Sequence, residues 1–165
     1  MSKFNTLITL ALFLFCSCSN NAQNQSPMSP KPADKNPANL SEEEWKNKLS
    51  PQQYYILREK GTEMPHSGKY NMHFEEGTYT CAGCGTELFK SDMKFDSHCG
   101  WPSFDREIAG GKIKKIKDTS HGMIRIEIIC ANCGGHLGHL FDDGPTATGQ
   151  RYCVNSLSLD FKKAE

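Results

Sequence analysis

The sequence has no excess of charge of either sign and no long apolar segment. Its 165 residues include 19 basic and 19 acidic side chains, so the formal net charge is zero. A neutral chain has no overall field that would recruit nucleic acid or an anionic membrane surface. The apolar run from Leu7 to Phe15 is too short to cross a bilayer as a permanent helix. These absences argue against nucleic-acid binding and against a permanent membrane-spanning helix.

The first residues have the pattern of a bacterial export signal. Lys3 precedes the apolar run, and small residues surround the sequence Cys16-Ser17-Cys18-Ser19. Residues 1–19 are therefore predicted to be an export signal. In the lipoprotein type of signal, Cys18 would become the lipidated first residue of the mature chain, while simple secretion stays open. Both routes place the protein in the cell envelope or periplasm, with membrane contact only through the lipid.

Residues 20–40 are rich in Asn, Ser, Gln, Pro and Lys and carry almost nothing to bury. They are predicted to be a disordered linker. Residues 41–165 then form the folded part, which is long enough for a single core. We expect one domain that works as a monomer.

The folded part begins with two helix-start signals. Ser41 with Glu44, and Ser50 with Gln53, have the form of capping boxes, and Pro51 occupies the first helical position of the second. These signals predict two short helices, the second ending near Gly61.

Short strands separated by turn residues are predicted from Lys69 onward. The clearest candidate runs from Met123 to Ile129, where isoleucines alternate with other side chains in the pattern of a half-buried strand. A second candidate runs from Tyr152 to Phe161, with its apolar side chains on one face. The expected fold is mainly β, with short N-terminal helices at its edge.

The eight cysteines fall into three groups, and one group repeats a motif. The groups are Cys16 and Cys18 near the N-terminus, Cys81, Cys84, Cys130 and Cys133 in two CxxC pairs, and Cys99 and Cys153. Each CxxC pair is followed at once by a glycine, which takes a backbone geometry that a side chain would resist. Four such thiolates make the tetrahedral sulfur site preferred by structural zinc.

A disulfide framework is the alternative for these four cysteines, because the chain carries an export signal. A bridge within each CxxC pair would close a very short loop and stabilise almost nothing. We therefore predict one structural zinc ion held by Cys81, Cys84, Cys130 and Cys133. Such a site has no open position for a substrate, so any chemistry must involve the two remaining thiols.

Cys153 is the candidate nucleophile. It lies on the predicted strand with Arg151 and Asn155 two positions away on either side, so period-two alternation places the three side chains on one face. A guanidinium and an amide beside a thiol can lower its pKa and hold a polar substrate atom. A lone cysteine is otherwise a small buried apolar side chain, and the neighbours favour the catalytic interpretation.

Four further residues are candidates for the same site. His136 and His139 follow the second CxxC pair, and because four thiolates already complete the zinc site, both histidines are available for acid or hydrogen-bonding roles. Cys99 lies in a Gly/Pro-rich loop, where a thiol is well placed to reach a second thiol and close a disulfide. Trp101 beside it is a candidate wall of an apolar pocket, with plain loop packing as the alternative.

Several motifs in order resemble the B-type methionine sulfoxide reductases. They are Cys81-Ala-Gly-Cys84-Gly85, Cys99-Gly-Trp-Pro-Ser-Phe104, Gly135-His-Leu-Gly-His139, Phe141-Asp-Asp-Gly-Pro145 and Arg151-Tyr-Cys-Val-Asn-Ser156. The resemblance covers Glu42 to Phe161. His98 departs from the small residue that often precedes the family's second cysteine.

The resemblance implies a reaction and a fold. Cys153 would attack the sulfur of a protein-bound methionine R-sulfoxide and become a sulfenic acid, and Cys99 would condense with it to a disulfide that a thioredoxin-like donor reduces. The implied fold is Mss4-like, also called a β-tent, with two small antiparallel sheets and the zinc clip. Around the substrate, the family pattern places Trp101 against the methyl group and His136, His139, Arg151 and Asn155 near the oxygen and the nucleophile.

Three other functions fit the sequence less well. A zinc-clipped β module that only binds a protein partner would have no reason to keep Cys99 and Cys153 together with two free histidines. A nucleic-acid-binding zinc ribbon would need net positive charge. An exported thiol-disulfide oxidoreductase predicts redox cysteines close in sequence, which these two are not.

Overall fold

The computed structural model describes residues 36–165. The predicted export signal, Cys18 and most of the predicted linker lie outside the described residues. Within residues 36–165, no helix is both long and apolar enough to cross a membrane.

The described residues form two α-helices and nine β-strands. Their bounds are α1 Glu42–Lys48, α2 Pro51–Leu57, β1 Gly77–Cys81, β2 Glu87–Lys90, β3 Lys94–Phe95, β4 Ser103–Phe104, β5 Ile113–Asp118, β6 Arg125–Cys130, β7 His136–Phe141, β8 Arg151–Val154 and β9 Leu159–Lys163. Short 3-10 helices lie at Pro37–Asn39, Ser91–Met93, Ser120–Gly122 and Ser156–Ser158.

Both predicted helices start at their capping boxes. The Ser41 hydroxyl accepts a hydrogen bond from the Glu44 N–H while the Glu44 carboxylate accepts one from the Ser41 N–H, and Ser50 and Gln53 repeat the arrangement. The second helix ends at Leu57, earlier than predicted. The chain turns away because Lys60 takes a left-handed conformation, with φ of 58°, and the Gly61 N–H closes the turn on the Tyr55 carbonyl.

The strands form two antiparallel sheets, as expected for a mainly β fold. The smaller sheet has the order β2-β1-β9, and the larger has the order β3-β4-β8-β7-β6-β5. In the larger sheet, Phe104 of β4 pairs with Tyr152 of β8, and both rings are buried in the core against Phe89 of the smaller sheet. Their neighbours Ser103 and Cys153, which also pair, therefore point to the opposite face.

The predicted burial along β6 was wrong in part. Ile128 is fully buried, but Ile124 is 79% exposed and Ile126 is 37% exposed, whereas Glu127 on the other face is 4% exposed. The alternation correctly predicted a strand, but burial does not follow the alternation, because Ile128 and Glu127 lie on opposite faces and are both buried. Glu127 is buried because a histidine and a lysine, described below, neutralise it.

The prediction of one strand from Tyr152 to Phe161 was also wrong. The segment forms two strands, β8 and β9, which belong to different sheets and are joined by the 3-10 helix Ser156–Ser158. The buried Ser158 hydroxyl donates to the His136 carbonyl, and the buried Ser156 hydroxyl accepts from the Tyr70 N–H. These hydrogen bonds to partners far along the chain replace the strand ladder and redirect the chain between the sheets.

Candidate active site and metal centre

The two CxxCG motifs form the same turn. In the first, the Gly85 N–H donates to the Cys81 carbonyl at 2.7 Å, and in the second the Gly134 N–H donates to the Cys130 carbonyl at 2.9 Å. Gly85 and Gly134 have φ of 74° and 72°. This left-handed conformation is the one that the sequence pattern predicted would need glycine.

The four cysteines of these turns form one cluster that could hold a metal ion. Their sulfur atoms all lie within 4.8 Å of one another. The Sγ of Cys81 is 3.6 Å from that of Cys133, and the Sγ of Cys84 is 3.6 Å from that of Cys130. A tetrahedron with Zn–S bonds of about 2.3 Å has sulfur atoms about 3.8 Å apart, so the donor set fits zinc.

The cluster joins the two sheets. Cys81 ends β1 of the smaller sheet, and Cys130 ends β6 of the larger one. A metal ion here would therefore tie together elements that are far apart in sequence.

The other two thiols of residues 36–165, those of Cys99 and Cys153, lie together in a different part of the structure. The Sγ atoms of Cys99 and Cys153 are 3.7 Å apart. Cys153 lies on β8, and Cys99 lies in the loop between β3 and β4, where Gly100 has φ of 94° and packs against Pro65 and His66 so closely that a Cβ would clash. A disulfide needs an S–S distance of about 2.05 Å, so a shift of about 2 Å would join them.

One proton is shared unequally by this pair. The hydrogen bond from the Cys153 thiol is the main factor that lowers the pKa of Cys99 to about 4, and the Ser97 hydroxyl, 2.9 Å from Cys99 Sγ, supports the thiolate. The same hydrogen bond, together with burial, raises the pKa of Cys153 although Arg151 acts in the opposite direction, so the lowered pKa that its neighbours predicted for Cys153 was wrong. The reduced pair thus carries one negative charge near neutral pH, with the proton on Cys153.

Arg151 supplies the cation beside this charge. Its guanidinium Nη1 is 3.7 Å from Cys99 Sγ, while Nε and Nη2 form a two-point ion pair with the Asp143 carboxylate at 2.8 and 2.9 Å. Arg151 lies two positions before Cys153 on β8, so these two side chains share a face as predicted.

A small cavity of about 130 Å³ opens beside Cys153. Its lining residues are Thr62, Trp101, Arg125, Gly138, His139, Phe141, Cys153, Val154 and Asn155. The rings of Trp101 and Phe141 make part of the wall apolar, and His139 brings a proton-carrying group. A pocket with an apolar wall, a thiol and a histidine suits a small polar group attached to an apolar chain.

Trp101 and Asn155 are held by the segment around Glu63. The Trp101 indole N–H donates to the Glu63 carbonyl at 3.1 Å. Asn155 lies just beyond β8, where its side-chain oxygen accepts from the Glu63 N–H at 3.1 Å and its amide N–H donates to the Leu137 carbonyl at 3.2 Å. Asn155 therefore lines the cavity while its amide fixes the backbone around it.

His139 is the cavity histidine. It pairs directly with Cys153 across β7 and β8, and its Nε2 is 2.9 Å from the Asp118 carboxylate. Hydrogen bonds from Ser120, and from His139 itself, hold the pKa of Asp118 below its ordinary value. The carboxylate stays ionised and orients the imidazole. Gly138 makes the pairing possible, because a Cβ there would lie 2.0 Å from the Cys153 carbonyl oxygen.

His136 lies behind His139 and does not line the cavity. Its Nδ1 is 2.8 Å from the Glu127 carboxylate, which also pairs with Lys60 at 2.8 Å. Burial lowers the pKa of His136, and Glu127 opposes that shift. Within the described residues its buried Nε2 has no hydrogen-bond partner, and the two histidine rings are 5.6 Å apart.

Sequence reasoning missed the acidic partners of this site. Asp118, Glu127 and Asp143 hold His139, His136 and Arg151 respectively. Asp118 ends the lysine-rich strand β5, and Glu127 alternates with isoleucines, so both have the pattern of exposed charges. Asp143 lies in the motif Phe141-Asp-Asp-Gly-Pro145, and its place in that motif was the sequence signal that pointed to it.

His98, the residue that precedes Cys99, is exposed and has φ of 56°. Its backbone N–H donates a hydrogen bond to the Asp96 side chain.

Comparisons with known proteins point to one family. The family model described as the SelR domain matches residues 49–163. A peptide methionine sulfoxide reductase MsrB from Methanosarcina barkeri is 57% identical over 125 residues, which is 76% of this chain and 88% of that protein. The proteins of the same name from Leptospira interrogans and Bradyrhizobium diazoefficiens are 56% and 58% identical, over 76% and 72% of this chain and 95% and 86% of their own lengths.

Proposed function

The chain belongs to the SelR-domain family of peptide methionine sulfoxide reductases of the MsrB type, and from this premise we propose how its residues carry out the reduction. The substrate is the R epimer of protein-bound methionine sulfoxide, Cys153 is the nucleophile and Cys99 resolves the product. The observation that carries the proposal is the pair of thiols 3.7 Å apart beside the cavity that contains His139 and Trp101.

The cavity supports binding of the sulfoxide end of the side chain. The rings of Trp101 and Phe141 suit the methyl group, and the side of the cavity formed by His139 and Arg125 suits the oxygen. With the methyl group and oxygen assigned to different walls, only one epimer presents its sulfur to Cys153. This is the physical basis that we propose for selectivity between epimers.

The first step joins the sulfoxide oxygen to Cys153. As Cys153 Sγ attacks the sulfoxide sulfur, its own proton moves to the Cys99 thiolate, and His139 donates a proton to the oxygen, which is a poor leaving group unless protonated. The oxygen passes to Cys153, which becomes a sulfenic acid, and methionine leaves. Asp118 stabilises the charged imidazole before the transfer and keeps its orientation afterwards.

The second step closes the disulfide. The Cys99 sulfur attacks the sulfenic acid sulfur, the Cys99–Cys153 bond forms and water leaves. A thioredoxin-like dithiol then reduces the disulfide and is itself oxidised. The hydrogen bonds of Ser97 to Cys99 and Ser103 keep the resolving sulfur close to its partner.

Zinc is the ion that we propose for the four-cysteine cluster. Cys81, Cys84, Cys130 and Cys133 would hold it, and bound zinc supplies no chemistry to the reaction because four thiolates close its coordination sphere. Its role is to fix β1 against β6. The protein would act as a monomer.

The place of action is proposed from the N-terminal sequence. A lipid on Cys18 and the polar segment after it would let the enzyme reach oxidised envelope proteins, and an exported or membrane-linked donor would then reduce the disulfide. Fractionation of cells that make the wild type or the Cys18→Ala variant, with mass spectrometry of the mature N-terminus, tests this. An unmodified N-terminus and the same distribution in both strains would rule out the anchor.

The activity itself is tested with the two epimers of N-acetyl methionine sulfoxide amide and dithiothreitol as reductant. We expect turnover of the R epimer and little of the S epimer. Equal turnover of both epimers would contradict the assignment of the methyl group and oxygen to separate walls.

A further inference from the structure

A second and larger cavity lies next to the catalytic one. It has a volume of about 780 Å³, and its walls come from α2, from residues 62–69 and from the segment around β9. We call it the flanking groove, and its lining residues are Pro51, Gln52, Gln53, Tyr55, Ile56, Thr62, Glu63, Met64, Ser67, Gly68, Lys69, Ser156, Leu157 and Leu159. Thr62 lines both cavities, so the groove continues from the catalytic site.

The groove shares its backbone with the catalytic pocket. Glu63 donates its N–H to Asn155 and offers its carbonyl to Trp101, while its carboxylate accepts hydrogen bonds from the N–H groups of Ser156 and Leu157. The Tyr70 N–H donates to the Ser156 hydroxyl at 2.8 Å, and Gly68 packs directly on Ser156. Residues 62–70 are therefore fixed on the 3-10 helix, and the groove is formed before any ligand arrives.

The chemistry of the groove is apolar with neutral polar groups. Tyr55 is 51% exposed and Met64 is 77% exposed, although both are large apolar side chains. Gln52, Gln53 and Ser67 add amide and hydroxyl groups. Lys69 and Glu63 are the charged side chains of the lining, and the Glu63 carboxylate is already held by two backbone N–H groups.

We propose that the flanking groove binds the extended polypeptide on one side of the methionine sulfoxide in the substrate protein. This inference rests on the proposed function of the adjacent pocket. Apolar surface beside side-chain amides suits the alternating side chains and free backbone groups of an unfolded strand. Because the lining of the groove carries little unpaired charge, we expect the groove to prefer substrates with neutral and apolar residues next to the methionine sulfoxide.

The test compares a short substrate with a long one. N-acetyl methionine sulfoxide amide reaches only the catalytic pocket, whereas an unstructured neutral peptide with a central methionine sulfoxide also reaches the groove. In the Met64→Glu variant, we expect kcat/KM for the peptide to fall by about fivefold, the size of effect found for interface side chains that contribute to binding. The value for the short substrate should stay unchanged.

Two further variants sharpen this test. Met72→Glu makes the same substitution at a methionine that is 63% exposed and outside the groove, so it should leave both substrates unaffected. Met64→Lys should favour peptides with acidic flanking residues, and Met64→Glu those with basic ones.

Each outcome has one meaning. Suppose that the wild type reduces the short substrate, and that Met64→Glu and Met64→Lys have the same kcat/KM as the wild type for every peptide. The groove then does not bind the substrate chain. An equal loss for short and long substrates would also overturn the inference, because the change would then act on the catalytic pocket. If the wild type fails to reduce the short substrate, the proposed function itself is wrong.

Discussion

The part of the chain that the structure describes contains two thiol clusters with nearly the same sulfur spacing and different surroundings. The Cys81–Cys133 and Cys84–Cys130 sulfur atoms are 3.6 Å apart, and the Cys99–Cys153 sulfur atoms are 3.7 Å apart. The four-cysteine cluster lies in two tight turns with glycines at fixed positions. The two-cysteine pair lies between a strand and a loop, beside a cavity and an arginine.

The comparison shows that sulfur spacing alone does not separate a structural metal site from a redox pair. Four thiolates complete the coordination of zinc and leave no reactive position. Two thiols share one proton and one charge, and Arg151 and Ser97 favour the charged form. The number of thiols and the groups around them, rather than their distance, predict which cluster reacts.

Breaking the four-cysteine cluster should have the largest effect. In Cys133→Ser, we expect zinc to be lost together with cooperative folding, because structural zinc binding contributes about 10 kcal/mol or more in small zinc domains. Metal analysis and thermal unfolding measure both. Cys99→Ser serves as the control and should keep its zinc and its melting temperature. A metal-free wild type that still unfolds cooperatively would contradict the zinc assignment.

Breaking the two-cysteine pair should abolish activity without unfolding the protein. Cys153→Ser should show no reduction, whereas Cys99→Ser should complete one turnover and then stop when a thioredoxin-like protein is the donor. Mass spectrometry after one equivalent of substrate should find a Cys99–Cys153 bridge in the wild type. A bridge to any cysteine of the four-cysteine cluster would show that the two clusters are not separate in function.

The sequence predicted the division of the cysteines better than it predicted the strands. CxxCG turns are local, so their geometry follows from a few adjacent residues, and both capping boxes were predicted for the same reason. The burial of individual residues along β6, and the break between β8 and β9, depend on partners outside each strand. Glu127 is buried because His136 and Lys60 meet it, and Ser156 is fixed by Glu63. No local pattern carries that information.

Substitutions of the residues around Cys99 and Cys153 should lower the rate of reduction by smaller amounts that differ from residue to residue. In His139→Ala, we expect the single-turnover rate to fall by about a hundredfold or more, because positioned proton transfer typically contributes that much. Asp118→Asn should cause a smaller loss in the rate with little change in substrate binding, since Asp118 orients His139 and does not line the cavity. Unchanged rates in both variants across neutral pH would make these residues structural.

The smallest expected effect concerns the proton that Cys99 and Cys153 share, and chemical labelling of Cys99 tests it directly. Because the hydrogen bond from Cys153 is the main factor that lowers the pKa of Cys99 to about 4, iodoacetamide should label reduced Cys99 nearly as fast at pH 6 as at pH 8. Cys153→Ala removes that donor, so the pKa of Cys99 should rise, and labelling should slow at pH 6 while remaining fast at pH 8. Peptide mapping by mass spectrometry identifies the labelled cysteine, and bound zinc should protect the cysteines of the four-cysteine cluster. If labelling of Cys99 in the wild type depended on pH as it does in an ordinary thiol, with a pKa of about 8.5, the pair would hold two neutral thiols. The contrast between the clusters would then rest on the metal alone.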